Sequence, residues 1–346
     1  MQKNQFYNER MDFTEFYASS DDNDRRLDRI LRKFISQEAL SGIYSAVRKG
    51  LIKVNGKKAE PGKHIFAGDC IRIANFLLES ENSRETEYCT CSENKKKTSL
   101  LETERVPLNT EELPEIILKT EDILILNKPY DITVQGQENS LNKSVEVFFR
   151  KEQKNKSLSF TPGPMHRLDR KTTGAIAFSM SLKGARWFSE AIKTHEIKKD
   201  YIGILQEKLL QPEYWKDNIK REYNAEKAFQ TVLAGDTGKE AITKVTPLGY
   251  GKYKKTDYTL ARFSIETGRT HQIRSQAALH GHPLLGDTAY GGTKIEMTEY
   301  FLHAYELYFP KDNPLSLPEK IKAPVPKVFE NFLKTTMQDY EKCGII

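Results

Sequence analysis

The sequence predicts an α+β fold in two blocks, and three observations carry that expectation. Residues 25–75 read as two helices followed by a small sheet. From residue 116 onward strand-like runs follow one another with only occasional helices, the pattern of a mixed, largely antiparallel sheet flanked by helices. No glycine-rich phosphate loop opens a helix after a strand, which weakens any dinucleotide- or nucleoside-triphosphate-binding fold. Four segments result: an N-terminal extension (1–24), a small α/β domain (25–75), an acidic flexible linker (76–115) and the larger domain (116–346).

The first block is explained residue by residue. Leu27, Ile30, Leu31, Phe34 and Ile35 recur at helical spacing, and Arg25, Arg26, Arg29, Arg32 and Lys33 lie mostly off that apolar stripe. Ser41 is placed to cap a second helix, with Ile43, Ala46 and Val47 inward and Gly50 at the left-handed position after its end. "LIKVNGKKA" reads as strand, Asn-Gly turn and return, and "AGDCIRIANF" as a further strand. The stretch that follows is rich in Glu, Lys, Ser and Thr without a period, so it reads as a linker.

In the second block "EDILILNKP" is a strand stopped at Lys128-Pro129. Residues 140–154 read as a helix, "GAIAFSM" as a buried strand, and "SLKGARWFSEAIKTH" as a helix capped by Ser181. "DYIGIL", "EKAFQTVLA", "AITKVTPLG" and "YTLARFSIE" are successive strands, and "THQIRSQAALHG" is a helix ending at Gly281.

Charge is distributed unevenly around a net +6. Residues 25–73 carry twelve Lys/Arg against four Asp/Glu, residues 79–122 six against twelve, and residues 123–346 thirty-four against twenty-six. Two basic blocks joined by an acidic connector suit a shared polyanionic partner. No apolar run approaches the roughly 18 residues of a membrane span, and the N-terminus lacks a secretory apolar stretch. Cys89 and Cys91 form one isolated "CTC", supporting neither a zinc ribbon nor a disulfide framework. A cytoplasmic protein without membrane partners is expected. Nothing suggests a coiled coil, so a monomer is expected.

Two clusters carry chemistry. In "PMHRLDRKTTG" one acid, Asp169, sits among Arg167, Arg170 and Lys171 on a loop before a strand. Neighbouring cations favour an ionised carboxylate, which can act as nucleophile, base or cation partner; a plain surface salt bridge is the competing explanation. In "ETGRTHQIRSQ" Arg269, His271 and Arg274 gather at a strand-to-helix junction, an arrangement suited to an anion. His166, His271, His280 and His282 have no cysteine or acid at zinc-ligand spacing, so no metal is expected.

Taken together, the stretches 121–136, 166–179, 198–205, 267–292 and 302–312 resemble, in order, the pseudouridine synthases of the RluA/RluC type that modify ribosomal RNA. Residues 25–73 are similar to the S4-type RNA-binding domain often fused to them. The resemblance implies a pseudouridine synthase fold and the isomerisation of uridine to pseudouridine in RNA, with large-subunit ribosomal RNA as partner. By position, Asp169 matches the essential aspartate, Tyr201 the active-site tyrosine and Arg274 the basic residue that pairs with the aspartate. Arg167 matches an arginine that fills the space of the flipped base. Arg269 and His271 join the RNA grip, as do Arg29, Arg32, Arg48, Lys49, Lys53 and Lys57 in the first block. "VQG" and "RSQAA" depart from the residues common in the family, which touches substrate detail. The reaction needs no redox partner, group donor or energy source, so no cofactor is expected. Two alternatives stay open: an RNA-binding ribosome-assembly factor that keeps the fold without catalysis, and an aspartate-dependent glycosidase, which lacks a second motif-matched carboxylate.

Overall fold

The computed structural model describes residues 12–35, 40–79, 113–137, 139–152, 157–224, 229–234 and 238–345. The expected linker lies outside the described residues from 80 to 112, with Cys89 and Cys91, and so do the side chains of Lys33 and Phe34. The chain forms two compact units, one within residues 1–102 and 149–161, the other within 103–148 and 162–346.

The first unit contains β1 (Phe13–Tyr17), β2 (Arg25–Arg26), α1 (Leu27–Phe34), α2 (Leu40–Arg48), β3 (Ile52–Val54), β4 (Lys57–Lys58), β5 (His64–Ile65), β6 (Cys70–Ala74) and α3 (Phe76–Glu79). Its main sheet runs β1-β6-β3-β4. The helical stripe of Leu27, Ile30, Leu31, Ile43 and Val47 is buried against Ile52, Val54, Ile71 and Ile73, each such side chain contributing about 1.5–3 kcal/mol of transfer free energy. The Asn-Gly turn forms as its sequence dictates, with φ of 50° at Asn55 and 74° at Gly56. α2 begins at Leu40, so Ser41 falls in its first turn. Residues 157–160 also belong to this unit. The buried Asp22 carboxylate accepts from the Leu158 and Ser159 amides and from the Ser157 and Ser159 hydroxyls, and Leu158 packs on the core.

The second unit contains β7 (Ile116–Lys119), β8 (Ile123–Lys128), α4 (Leu141–Glu152, whose last turns belong to the first unit), β9 (Gly163–Pro164), β10 (Thr173–Ser179), α5 (Leu182–Lys193), β11 (Lys198–Gln206), β12 (Glu213–Asn224), β13 (Phe229–Ala234), β14 (Lys239–Tyr253), β15 (Thr256–Ile265), α6 (Gln272–Leu279), β16 (Leu302–Tyr308), β17 (Lys320–Lys322) and α7 (Lys327–Thr336). The sheet runs β13-β12-β14-β15-β11-β16-β10-β8-β7, with β17 on β16 and β9 on β10. The β10–β16 pair is parallel and the other named pairs are antiparallel. The α+β class with a mixed, largely antiparallel sheet therefore holds.

Strand alternation sorts the two faces. Ile202, Ile204, Tyr258 and Leu260 point towards α7, where Phe329, Phe332 and Leu333 cover them. Tyr201 points to the opposite face. It is in register with Phe263, which is in register with Val245. α6 lies on that face, fixed by the hydrogen bond of Thr243 to Gln276 (2.7 Å). Near the centre Gly174 has φ +109°, and a Cβ there would stand 2.2 Å from the Ala304 carbonyl oxygen. Only glycine allows β10 and β16 to meet so closely just beyond the Asp169 loop.

Candidate active site

Asp169, Tyr201, His271 and Arg274 converge from three separate stretches. Asp169 sits on the loop entering β10, where the Thr172 amide donates to its carbonyl (3.1 Å). That loop is fastened from beneath by Lys128. Its fully buried ammonium donates to the carbonyls of Pro129 (2.9 Å), Ile132 (2.8 Å) and Arg170 (2.9 Å). Burial pushes the Lys128 pKa down to about 7, opposed by the charges of Asp169 and Asp131.

His271 immediately precedes α6 with φ +53° and ψ +23°, a left-handed conformation uncommon for a non-glycine residue. Its Nδ1 is 2.8 Å from the Tyr290 hydroxyl and its Nε2 is 3.8 Å from Asp169 Oδ2. Burial lowers the His271 pKa and keeps the ring neutral near pH 7, despite the opposing pull of Asp169. The α6 N-terminus is held by Gln272, which accepts from the Arg269 amide and Thr267 hydroxyl and donates to Ile242 and Thr243.

Arg274 is the hub. It grips Asp287 bidentately, Nε to Oδ2 at 2.6 Å and Nη2 to Oδ1 at 2.8 Å. Its guanidinium carbon lies 4.5 Å from the Tyr300 ring centroid and 4.8 Å from that of Tyr290. Burial works against its charge, but Asp287, Tyr300 and Asp169 hold its pKa above the usual value. Nη1 faces Asp169 Oδ2 at 3.6 Å. That separation is a charge contact longer than a hydrogen bond. Of the two carboxylates, Asp287 holds the guanidinium by two hydrogen bonds, and Asp169 makes only the longer charge contact. Tyr201 is buried, and burial reinforced by the Asp169 charge raises its pKa, so the phenol is neutral.

The cations beside Asp169 in sequence turn elsewhere. Arg170 and Lys171 both pair with Asp131, at 2.9 and 2.8 Å. Arg167 is exposed, and so is Arg269, which donates from Nε to the Glu240 carbonyl (2.9 Å). In the first unit Arg29, Arg32, Arg48, Lys49 and Lys57 are exposed. Lys53 is half-buried over the Phe13 ring (5.0 Å) and in register with Lys58 and Arg72 across the outer face of the sheet. Sequence reasoning missed Asp287, Tyr290 and Tyr300. Asp287 and Tyr290 lie in the stretch "GHPLLGDTAYGG", whose glycines drew attention but whose acid did not.

Residues 122–279, which carry Asp169, Tyr201 and Arg274, match the family described as RNA pseudouridylate synthase. That match, together with relatives named as pseudouridine synthases, supports an RNA pseudouridine synthase enzyme. It is 28% identical over 338 residues to the ribosomal large subunit pseudouridine synthase C of Buchnera aphidicola subsp. Schizaphis graminum, covering 92% of this chain and 96% of that one. It is also 29% identical over 211 residues to the tRNA pseudouridine synthase C of Haemophilus ducreyi, covering 56% of this chain and 84% of that one. Among solved structures, human RNA pseudouridylate synthase domain containing 1 shares the fold with a TM-score of 0.52 at 23% identity, over 64% of this chain and 86% of that one.

Proposed function

We propose that the chain converts specific uridines of large-subunit ribosomal RNA to pseudouridine with Asp169 as the catalytic carboxylate. One observation carries the assignment of Asp169: its Oδ2 faces Arg274 and His271 at 3.6 and 3.8 Å without being locked by either. The ribosomal substrate is supported by the relative that spans nearly the whole chain and bears a large-subunit name, whereas the tRNA-named relative matches 56% of this chain.

The reaction breaks the N1–C1′ bond and joins C1′ to C5. C5 releases its proton and N1 ends with one, so the product is an isomer and no electrons are exchanged. The target base is stacked within RNA and must be extruded first. In this reading Arg167, exposed two residues before Asp169, occupies the vacated space. The Asp169 carboxylate stabilises the electron-poor C1′ as the glycosidic bond breaks, and Arg274, 3.6 Å away, directs it. Tyr201 enters the reaction as a neutral phenol, so its ring supplies a stacking surface and its hydroxyl a hydrogen-bond donor.

Arg269 and His271 hold the flanking backbone. Arg29, Arg32, Arg48, Lys49, Lys53 and Lys57 give the first unit, read as an S4-type domain, its phosphate grip. The enzyme works as a cytoplasmic monomer; among the described residues no helix is long and apolar enough to cross a membrane. Mapping pseudouridines in ribosomal RNA and tRNA from cells with and without the gene tests the reading. Loss of particular large-subunit pseudouridines is expected. Loss confined to tRNA would replace the proposed substrate, and an unchanged map in both would remove it.

A further inference from the structure

The ladder between β11 and β16 changes register at Tyr201. Asp200 is in register with Glu306 and Tyr201 with Ala304, which leaves Tyr305 between them as a bulge in β16. On its other side Ala304 is in register with Gly174 of β10, the strand entered from the Asp169 loop. The bulge therefore sets the offset between the strand bearing Tyr201 and the strand that follows Asp169. Without it one strand would slide past the other by about 3.3 Å, against a tolerance nearer about 1 Å for reacting groups.

Two acids meet at that bulge, on the face opposite Tyr201. Asp200 and Glu306 are both buried and stand opposite one another on adjacent strands, and like charges so placed repel. Arg262 of β15 answers both with one nitrogen: Nη1 is 3.4 Å from Asp200 Oδ2 and 3.1 Å from Glu306 Oε2. Its guanidinium carbon also lies 5.9 Å from the Tyr305 ring centroid. Consecutive residues of a regular strand face opposite ways. One side chain reaches both Tyr305 and Glu306 because the bulge turns them to the same side. The Tyr308 hydroxyl donates to Glu306 Oε2 (2.5 Å), and Lys320 Nζ is 3.5 Å from Oε1. The other charges on this face are Lys322, over the Tyr305 ring at 4.8 Å, and the exposed Lys198 and Lys244.

We propose that Arg262 is a positioning residue for the reaction: by joining Asp200 to Glu306 it holds the bulge that sets Tyr201 against Asp169. The inference rests on the reading of Asp169 and Tyr201 as the reacting site. Arg262 itself acts from the far face of the sheet and touches no RNA.

The test uses the full chain and a synthetic RNA containing a mapped target uridine. Single-turnover rate and RNA affinity are measured between about pH 8 and about pH 6, and amide exchange is measured without RNA. Arg262→Met leaves the two acids face to face. Its rate at the upper pH falls about 100-fold, the cost of a small misplacement, while RNA affinity is unchanged. Amides of residues 200–203 and 302–306 exchange faster. As pH falls, one acid takes up a proton because the other disfavours its charge, and the variant gains on the wild type. Arg262→Lys recovers part of the rate, since it returns the charge without the planar fork. The triple variant Asp200→Asn/Arg262→Met/Glu306→Gln, with no charges left to join, recovers most of the rate and of the amide protection. A folded Arg262→Met protein with wild-type rate and exchange overturns the proposal. So does a triple variant that is unfolded or as slow as Arg262→Met, a result that holds whether or not Arg262→Met itself can be prepared. A wild-type protein that isomerises nothing while the exchange pattern follows these expectations would count against the isomerase reading and leave the clasp at the bulge standing.

Discussion

Replacing Asp287 by Asn removes one charge from a pair whose side chains are only 2% (Asp287) and 10% (Arg274) exposed. The shape of the residue hardly changes, but the guanidinium loses the partner that holds it at 2.6 and 2.8 Å. Breaking a buried pair from one side costs roughly 3–5 kcal/mol because the remaining charge is uncompensated. For a domain of this size each kcal/mol is worth about 2–4 °C of Tm, so a fall of about 10 °C is expected. Activity should suffer beyond the loss of folded protein. Freed from Asp287, Arg274 can close the 3.6 Å gap to Asp169 and tie up the oxygen the substrate needs. A misplacement on that scale is worth about 100-fold in rate. The assay is single-turnover pseudouridine formation at a temperature where both proteins are folded, beside thermal unfolding of the same preparations. The double variant Asp287→Asn/Arg274→Met should be more stable than Asp287→Asn alone, since the orphaned charge has gone. Wild-type Tm and wild-type rate in Asp287→Asn would refute the reasoning.

Three further outcomes follow from the packing. His303 is buried and bonded to Thr173, and burial lowers its pKa to about 4. The unfolded chain therefore takes up the proton first, and stability is full above pH 6.5 and lost as pH falls towards 4. The loss is roughly 3 kcal/mol; His303→Gln should flatten that part of the stability–pH curve, measured by denaturant unfolding. Asp22→Ala removes the carboxylate to which the Leu158 and Ser159 amides and the Ser157 and Ser159 hydroxyls donate. It should cost roughly 2–4 kcal/mol, read as faster amide exchange at residues 157–160. Gly174→Ala puts a methyl against the Ala304 carbonyl at a φ of +109° and should abolish soluble, folded protein, checked by circular dichroism of any that is recovered.

The legible parts of this molecule are those governed by short-range physics. The apolar spacing of Leu27, Ile30 and Leu31, the turn at Asn55-Gly56 and the Ser181 cap, which accepts from the Gly184 amide, depend on residues at most four positions apart. The ordered motifs likewise brought Asp169, Tyr201 and Arg274 to notice, though only folding shows them side by side. What escaped depends on partners far away in sequence. β1 is only five residues long and becomes a strand because β6 pairs with it. β12 hides behind its charges, with Trp215 and Ile219 its buried positions before residue 221. The anchoring of residues 157–159 by Asp22 spans some 135 residues. Sequence adjacency misled at Arg170 and Lys171, whose charges go to Asp131, while the cation nearest to Asp169 comes from α6.

The central claim is that the Asp169 carboxylate performs the chemistry, and Asp169→Asn tests it most directly because shape is kept and charge removed. Tritium release from RNA labelled at C5 of uridine reports the reaction, and RNA affinity and Tm on the same preparation report the rest. The account predicts no detectable tritium release from an RNA that is still bound, since phosphate contacts lie with Lys and Arg elsewhere. It also predicts a Tm within a few degrees of the wild type, about the change expected of an isosteric loop substitution. A folded, RNA-binding Asp169→Asn protein that releases tritium at the wild-type rate would contradict it.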